Sequence, residues 1–266
     1  MNRIFAILLF LFLTIQNVRA EAFLPFDGPR PLAVMVETDP WLMVIGSDTP
    51  SFVLYEDGQV IYRKRSEKGT PKYLWKLLTL VELRSLQAKL ISFGPYRFKG
   101  QNRMNVAEVS DQSEAKLFLK FEGAELVTSI YGIKFSDVSR DEGGSKTPLP
   151  SELRKLYGFL SSLEFRGASE WAPKYAEVMA WDYTYAPDPS ISWPKHWPGL
   201  DSPTTFKKKT MYSIFVPGVE LKAIAAFLGT RSEKGAVEID GKKFAVSVRP
   251  TFPSEPIWRT AFSNLE

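Results

Sequence analysis

Residues 51–65, SFVLYEDGQVIYRKR, carry the clearest indication of the fold in this chain. The runs 51–55 and 59–65 are rich in β-branched and aromatic residues, which are typical of β-strands. Asp57 and Gly58 lie between them, and glycine accepts the positive φ angle that a tight hairpin turn requires. The stretch therefore predicts a β-hairpin, in which two neighbouring strands run antiparallel.

Side-chain alternation in the second run indicates how this hairpin is exposed. Val60 and Tyr62 alternate with Ile61 and Arg63 along the predicted strand. We therefore expect one face of the sheet to pack on a core and the other to meet solvent.

The same combination of apolar runs and turn residues recurs further along the chain. It predicts hairpins at 116–133, around Gly123, and at 236–248, around Asp240 and Gly241. Capping residues, leucine spacing or terminal proline and glycine predict helices at 79–93, 150–163 and 217–228. We expect an α+β fold with mainly antiparallel sheet built from hairpins, and with about three helices.

The first predicted helix has the most specific start signal. Thr79 and Glu82 form the pattern of a capping box, in which each side chain bonds a free backbone N–H of the first turn. The final segment, 250–266, is instead predicted to be irregular, with Phe252 and Trp258 packing it back on the body.

The first twenty residues have the pattern of a secretory signal peptide. A positive Arg3 precedes the apolar run 4–13, and small or aliphatic residues follow at the positions that signal peptidase reads. The run is shorter than the roughly 20 residues that a membrane-spanning helix needs, although an uncleaved anchor is the alternative. We expect a signal peptide at 1–20, cleavage after Ala20, export to the periplasm or the medium, and no integral membrane segment in the mature chain.

The length that remains after cleavage suits one large domain or two small ones. A break near 165–172 divides the chain into predicted α+β (sub)domains at 21–168 and 169–266. A loop inside a single domain explains the same break, and the sequence favours neither arrangement.

Cysteine is absent from all 266 residues. This excludes disulfides, thiol nucleophiles, thiolate metal sites and a lipid-modified N-terminal cysteine. Small extracellular animal domains usually need disulfides, so an exported chain without them indicates a bacterial protein. The net charge is +4, and Arg3 and Arg19 leave with the signal peptide, so the mature chain has +2. Such a small surplus argues against nucleic acid as a main partner.

The chain lacks the residues that most catalytic mechanisms require. The only histidine is His196, whereas zinc usually needs several His or Cys ligands and a serine hydrolase needs a histidine beside an exposed nucleophile. No glycine-rich phosphate loop is present, so we expect no nucleotide or redox cofactor and no metal site. Residues 137–142 contain three acids, but their spacing differs from that of a calcium-binding loop.

The most unusual segment is 192–199, SWPKHWPG, where Trp193 and Trp197 each precede a proline and His196 lies between them. Proline disfavours helix in the preceding residue, so both tryptophans are expected in extended backbone. One interpretation is a rigid recognition surface, because tryptophan is common in binding hot spots. The other is a cover over the core, because tryptophan is highly buried on average.

Trp181 and Asp182 form a second candidate site in a predicted strand at 177–185. Asp182 interrupts an otherwise apolar run. Together with Asp188 or Asp201 it could supply the two carboxylates that a glycoside hydrolase places across the scissile bond. Asp188 and Asp201 also precede Pro and Ser-Pro, where aspartate commonly begins a turn.

These patterns support two functional hypotheses. The first is a non-enzymatic exported binding or protein-interaction module, with ligand or partner contacts at Trp193, His196, Trp197, Trp181 and Asp182. The second is a carboxylate-dependent hydrolase that acts on polysaccharide or cell-wall glycan. The expected partner is accordingly another exported protein or a glycan.

Overall fold

The computed structural model describes residues 23–44, 47–64, 72–108, 110–135 and 148–265. The predicted signal peptide, 1–20, and the acidic segment, 137–142, lie outside these residues. The described chain folds around two β-sheets, and no helix in these ranges is long and apolar enough to cross a membrane.

The first sheet has eight strands. They are β1 (Pro31–Thr38), β2 (Pro50–Tyr55), β3 (Gln59–Lys64), β4 (Lys72–Leu77), β5 (Arg103–Asn105), β6 (Glu114–Phe121), β7 (Ala124–Tyr131) and β8 (Ser169–Glu170). Their order across the sheet is β5-β7-β6-β1-β2-β3-β4-β8. The hairpin predicted at 51–65 is confirmed: β2 pairs antiparallel with β3, Val53 lies opposite Ile61, and Gly58 adopts φ +88°.

The second sheet has six strands. They are β9 (Tyr175–Asp182), β10 (Asp188–Ser192), β11 (Thr205–Lys208), β12 (Met211–Pro217), β13 (Gly235–Ile239) and β14 (Lys242–Pro250). Their order is β10-β13-β14-β9-β12-β11, so β11 lies at one edge. The hairpins predicted around Gly123 and Gly241 are also confirmed, as β6–β7 and β13–β14.

Four α-helices occur in the described chain: α1 (Leu80–Ser92), α2 (Ser151–Ser162), α3 (Leu221–Leu228) and α4 (Glu255–Ser263). The first three fall where helices are predicted. The capping box of α1 is confirmed, because the Glu82 N–H donates to Thr79 Oγ1 at 3.2 Å and the Thr79 N–H donates to Glu82 Oε2 at 2.8 Å.

The α+β class is correct, but the expected strand pairing and the expected tail are wrong. Both sheets are mixed rather than mainly antiparallel, because β5 pairs parallel with β7 and β10 pairs parallel with β13. Parallel neighbours are joined by long connections, and the hairpin signals in the sequence report only tight turns. The tail predicted to be irregular contains α4, in which Trp258 and Phe262, four residues apart, face the core together.

The first sheet is covered on both faces, in contrast to the solvent-facing side that the alternation in β3 predicts. One face packs on α1 and α2, with Val60 and Tyr62 in that core. The other face packs under α4, where Ile61 is fully buried with Trp258. Arg63, two residues further along β3, is half-buried, and its Nη2 forms an ion pair with Glu37 Oε2 at 2.7 Å.

The main hydrophobic core of the second sheet lies on one face. Val178 and Ala180 of β9 join a core with Ile224 of α3, Trp193 and Trp197. The opposite side, which carries Met179 and Trp181, is called the open face below.

Elements beyond residue 168 contribute to the first sheet. β8 pairs with β4, and Trp171 and Phe252 join the core beneath α4. The division at 168 stays a prediction, but residues after 168 contribute both to the second sheet and to the first sheet with its core.

Candidate functional site

The two tryptophans of the SWPKHWPG segment belong to the core of the second sheet. Trp193 and Trp197 are each 8% exposed, their rings lie 4.9 Å apart, and both pack edge-on against Phe227. Their indole N–H groups donate at 3.1 Å to the Pro198 carbonyl and to Glu220 Oε2, respectively. These indoles are therefore packed and hydrogen-bonded, which is the geometry of a cover over the core.

His196 is the solvent-facing member of this segment. Its side chain is exposed, and its ring centroid lies 4.8 Å from that of Trp197. Of Trp193, His196 and Trp197, only His196 presents its ring to solvent. Contact of this loop with a partner stays a prediction.

The structure separates Trp181 from the loop. Trp181 lies on the open face, opposite the core that contains Trp193 and Trp197. Asp182 is exposed, and Thr184 Oγ1 donates to its carboxylate at 2.7 Å. The five predicted site residues therefore do not share one cleft.

The other two aspartates considered for an acid pair serve the backbone or face solvent. Asp188 accepts the Lys234 N–H at 3.1 Å, and Asp201 is exposed in a turn. The described geometry thus does not combine these acids with Trp181 in a common cavity.

Trp181 instead lines a groove on the open face, of about 380 Å³. We name it the Trp181 groove and define it by Phe26, Met179, Trp181, Phe206, Ser213 and Phe215. Trp181 is half-buried there and Phe206 is 50% exposed.

Strand register assembles the floor of the groove. Ser247 of β14 lies opposite Met179 of β9, which lies opposite Ser213 of β12, which lies opposite Phe206 of β11. Side chains of directly paired residues point to the same face, so these four form one row across the sheet. The neighbouring row places Trp181 opposite Ala245.

One end of the groove is closed by the start of the described chain. The Phe23 ring lies 5.0 Å from Tyr175 and 6.1 Å from Phe206, and the Phe26 ring lies 5.6 Å from Phe215. Sequence reasoning missed these aromatic residues because 25–31 predicts only an irregular connection. The sequence did contain one signal: apolar residues occur at both alternating sets of positions in β9, Val178 and Ala180 as well as Met179 and Trp181, which indicates that both faces of this strand are at least partly covered.

The rim of the groove is basic. Lys208 lines it on the open face, opposite Met211. Lys207 lies opposite Tyr212 and points to the other face, where its Nζ lies 5.5 Å from the centre of the Tyr212 ring. The acid that lines the groove, Glu177, is 5% exposed and paired with Arg249. The positive charge of the rim is therefore not balanced within the groove.

Glu177 and Arg249 begin a buried ion network that connects the second sheet to α4. Arg249 Nη1 lies 2.6 Å from Glu255 Oε1, and Glu255 also accepts a hydrogen bond from Arg259. Burial favours a raised pKa for Glu255, but the adjacent Arg249 and Arg259 outweigh burial and lower it. The Glu255 carboxylate thus remains charged and paired in the protein interior.

Arg259 also borders a second cavity, of about 480 Å³, between α4 and the ends of β1 and β6. We name it the α4 cleft; Asp39, Asp48, Glu114 and Lys116 contribute to its lining. Burial raises the pKa of Asp48, although the Asp39 N–H, which donates to its carboxylate at 3.0 Å, favours the charged form. Asp39 adds a second negative charge beside Asp48, which also raises that pKa.

Comparison with known proteins adds no family to these observations. No protein-family model, curated protein or solved structure matches the chain. Across the described ranges, no group of three or more His, Cys, Asp or Glu side chains is placed to hold a metal ion.

Proposed function

We propose that this protein is a non-enzymatic exported interaction module that binds a partner through the Trp181 groove. The observation that carries the proposal is the uncovered aromatic and methionine surface on the second sheet. Trp181 and Phe206 remain partly accessible there, although the first sheet is covered on both faces. Clustered exposed apolar side chains with a polar rim are typical of interaction sites.

The chemistry of the groove suits a binding role. Tryptophan, phenylalanine and methionine are enriched at the centres of protein interfaces. The Phe206 ring packs on Phe215 at 5.6 Å and on Phe23, which holds the groove wall in place before a partner arrives. A preformed wall reduces the entropy lost on binding.

Export is the second part of the proposal and rests on the signal pattern in 1–20. The mass of the protein recovered from periplasm or medium tests it directly. We expect the mass of a chain that begins at Glu21. A full-length mass, or a protein retained in the cytoplasm, would contradict export by this route.

Site-specific photo-crosslinking tests the binding surface. Phe206→benzoylphenylalanine places the reactive group in the groove, and Tyr185→benzoylphenylalanine, at a residue that is 93% exposed, is the matched control. We expect a discrete protein adduct in producing cells from position 206 that position 185 does not give. Equal adducts from both positions, or none from 206, would refute the assignment of this face.

The alternative, a carboxylate-dependent hydrolase of polysaccharide or cell-wall glycan, is favoured by one observation in the α4 cleft. Asp48 has a raised pKa and Asp39 lies beside it, and an acid–base carboxyl pair of this kind can serve glycoside hydrolysis. Release of reducing ends from peptidoglycan, abolished by Asp48→Asn and retained by the control Asp182→Asn, would support it. No release from the unmodified protein would exclude this activity on that substrate.

A further inference from the structure

The Trp181 groove also indicates the chemistry of its partner, an inference that rests on the proposed function. Lys208 lies on the open face beside the groove, is exposed and makes no ion pair within the described residues. Lys209 follows it in the turn after β11 and is exposed too. The β11 end of the apolar groove therefore carries positive charge that the groove does not balance.

The floor of the groove offers polar contacts as well as apolar surface. Ser213 and Ser247 flank Met179, and neither hydroxyl forms a hydrogen bond with another described residue. Serine hydroxyls both donate and accept, so they can bond the backbone of a chain that lies over them. Phe206, at the end of this floor, and Trp181, in the neighbouring row, can hold one large apolar side chain between them.

The row from Ser247 to Phe206 crosses four strands. Adjacent strands lie about 4.8 Å apart, so the row is about 14 Å long, which matches about four extended residues at about 3.3 Å each. The occupant lies across the sheet face rather than adding to its edge, because β11 is short and carries lysines. Natural sheets use short, lysine-bearing edge strands to prevent pairing with other chains.

We propose that the Trp181 groove binds a short, extended, acidic segment of a partner protein. One aromatic or large aliphatic side chain of that segment packs between Trp181 and Phe206. Carboxylates on the β11 side of this anchor lie beside Lys208 and Lys209. A glycan, which lacks the repeated negative charge, is the competing occupant.

Fluorescence anisotropy with defined peptides tests this inference. The probes are fluorescein-labelled GDFDLDG, its Asn analogue GNFNLNG, its Lys analogue GKFKLKG, and a soluble peptidoglycan fragment. We expect GDFDLDG to bind, the Asn analogue to bind about tenfold more weakly, as charge pairing at an interface rim predicts, and the Lys analogue not to bind. Preference for the neutral peptide, the basic peptide or the glycan would overturn the acidic assignment.

Matched charge variants locate the contact. Lys208→Gln combined with Lys209→Gln is expected to weaken GDFDLDG binding about tenfold and to reduce its salt dependence. Lys195→Gln combined with Lys242→Gln removes the same charge from exposed positions outside the groove lining and is expected to change binding less than twofold. Equal effects from both pairs would refute the specific role of Lys208 and Lys209.

The failure of this inference is distinguishable from failure of the proposed function. Trp181→Ser, checked for an unchanged unfolding midpoint in urea, is expected to abolish peptide binding. If GNFNLNG binds as well as GDFDLDG and Trp181→Ser abolishes both, the groove function stands and the acidic partner is wrong. If no peptide binds at 1 mM while Phe206→benzoylphenylalanine still captures a protein, the acidic segment is likewise wrong.

Discussion

Neutralising Glu255 is expected to destabilise the protein strongly. Its carboxylate is fully buried, forms an ion pair with Arg249, and accepts hydrogen bonds from Arg259 and the Phe252 N–H. Glu255→Gln leaves two guanidinium groups with Glu177 as the remaining carboxylate partner in the network. Removing one member of a buried ion pair costs about 3–5 kcal/mol, because the remaining charge stays desolvated without compensation.

Urea unfolding measures this cost. The midpoint is expected to fall with an unchanged m value, and the melting temperature to fall by about 6–20 °C for a chain of this size. Glu233→Gln, an exposed acid without a described ion pair, is the control and is expected to stay within about 0.5 kcal/mol of the unmodified protein.

The same pair of variants predicts a pH dependence with a definite sign. The pKa of Glu255 is lowered in the folded protein, so its contribution to stability is complete above its unfolded pKa of about 4.3 and is lost as pH falls through the folded value. The difference between the unmodified protein and Glu255→Gln should therefore shrink at acid pH. A loss below about 1 kcal/mol at pH 7, or a difference that grows as the pH falls, would refute the network as a major source of stability.

Two further outcomes separate core from surface roles. Trp197→Ala removes a buried indole and is expected to lower the free energy of unfolding, measured in urea, by about 3 kcal/mol. His196→Ala, at an exposed residue, is expected to change it by less than about 0.5 kcal/mol, and equal losses would contradict the burial of Trp197. The pKa of Glu82 is lowered to about 2 by hydrogen bonds from Lys76 and Thr79, so Thr79→Ala should raise it in an NMR carboxyl titration, and an unchanged value would contradict the capping box.

The local parts of the fold could be predicted from the sequence. The β2–β3 hairpin and the start of α1 depend on neighbouring residues such as Gly58 and Thr79, so a short stretch contains all the determinants. The parallel pairs β5–β7 and β10–β13 join segments that are distant in the chain, and no turn residue reports them. The same limit explains why α4, which needs the face of the first sheet to pack on, was predicted as irregular.

The candidate site could be predicted only in part. Trp181 stands out in the sequence, but Phe26, Phe206 and Ser213 come from three other segments that register alone brings beside it. Trp193 and Trp197 stand out equally, yet their indole N–H groups find acceptors in the protein and their rings join a core. Sequence indicates which aromatic residues are unusual, and the strand pairing decides which of them remain accessible.

The position of α4 after every strand of both sheets affects how the chain can be made and moved. This helix covers the face of the first sheet that carries Val34, Ile61 and Phe118. A chain that emerges amino end first, from a ribosome or a translocation pore, must keep these apolar side chains uncovered until α4 is released. A premature stop shortly before Glu255 would therefore yield an aggregation-prone sheet rather than a slightly shortened protein, and a chaperone would need to shield that face throughout passage.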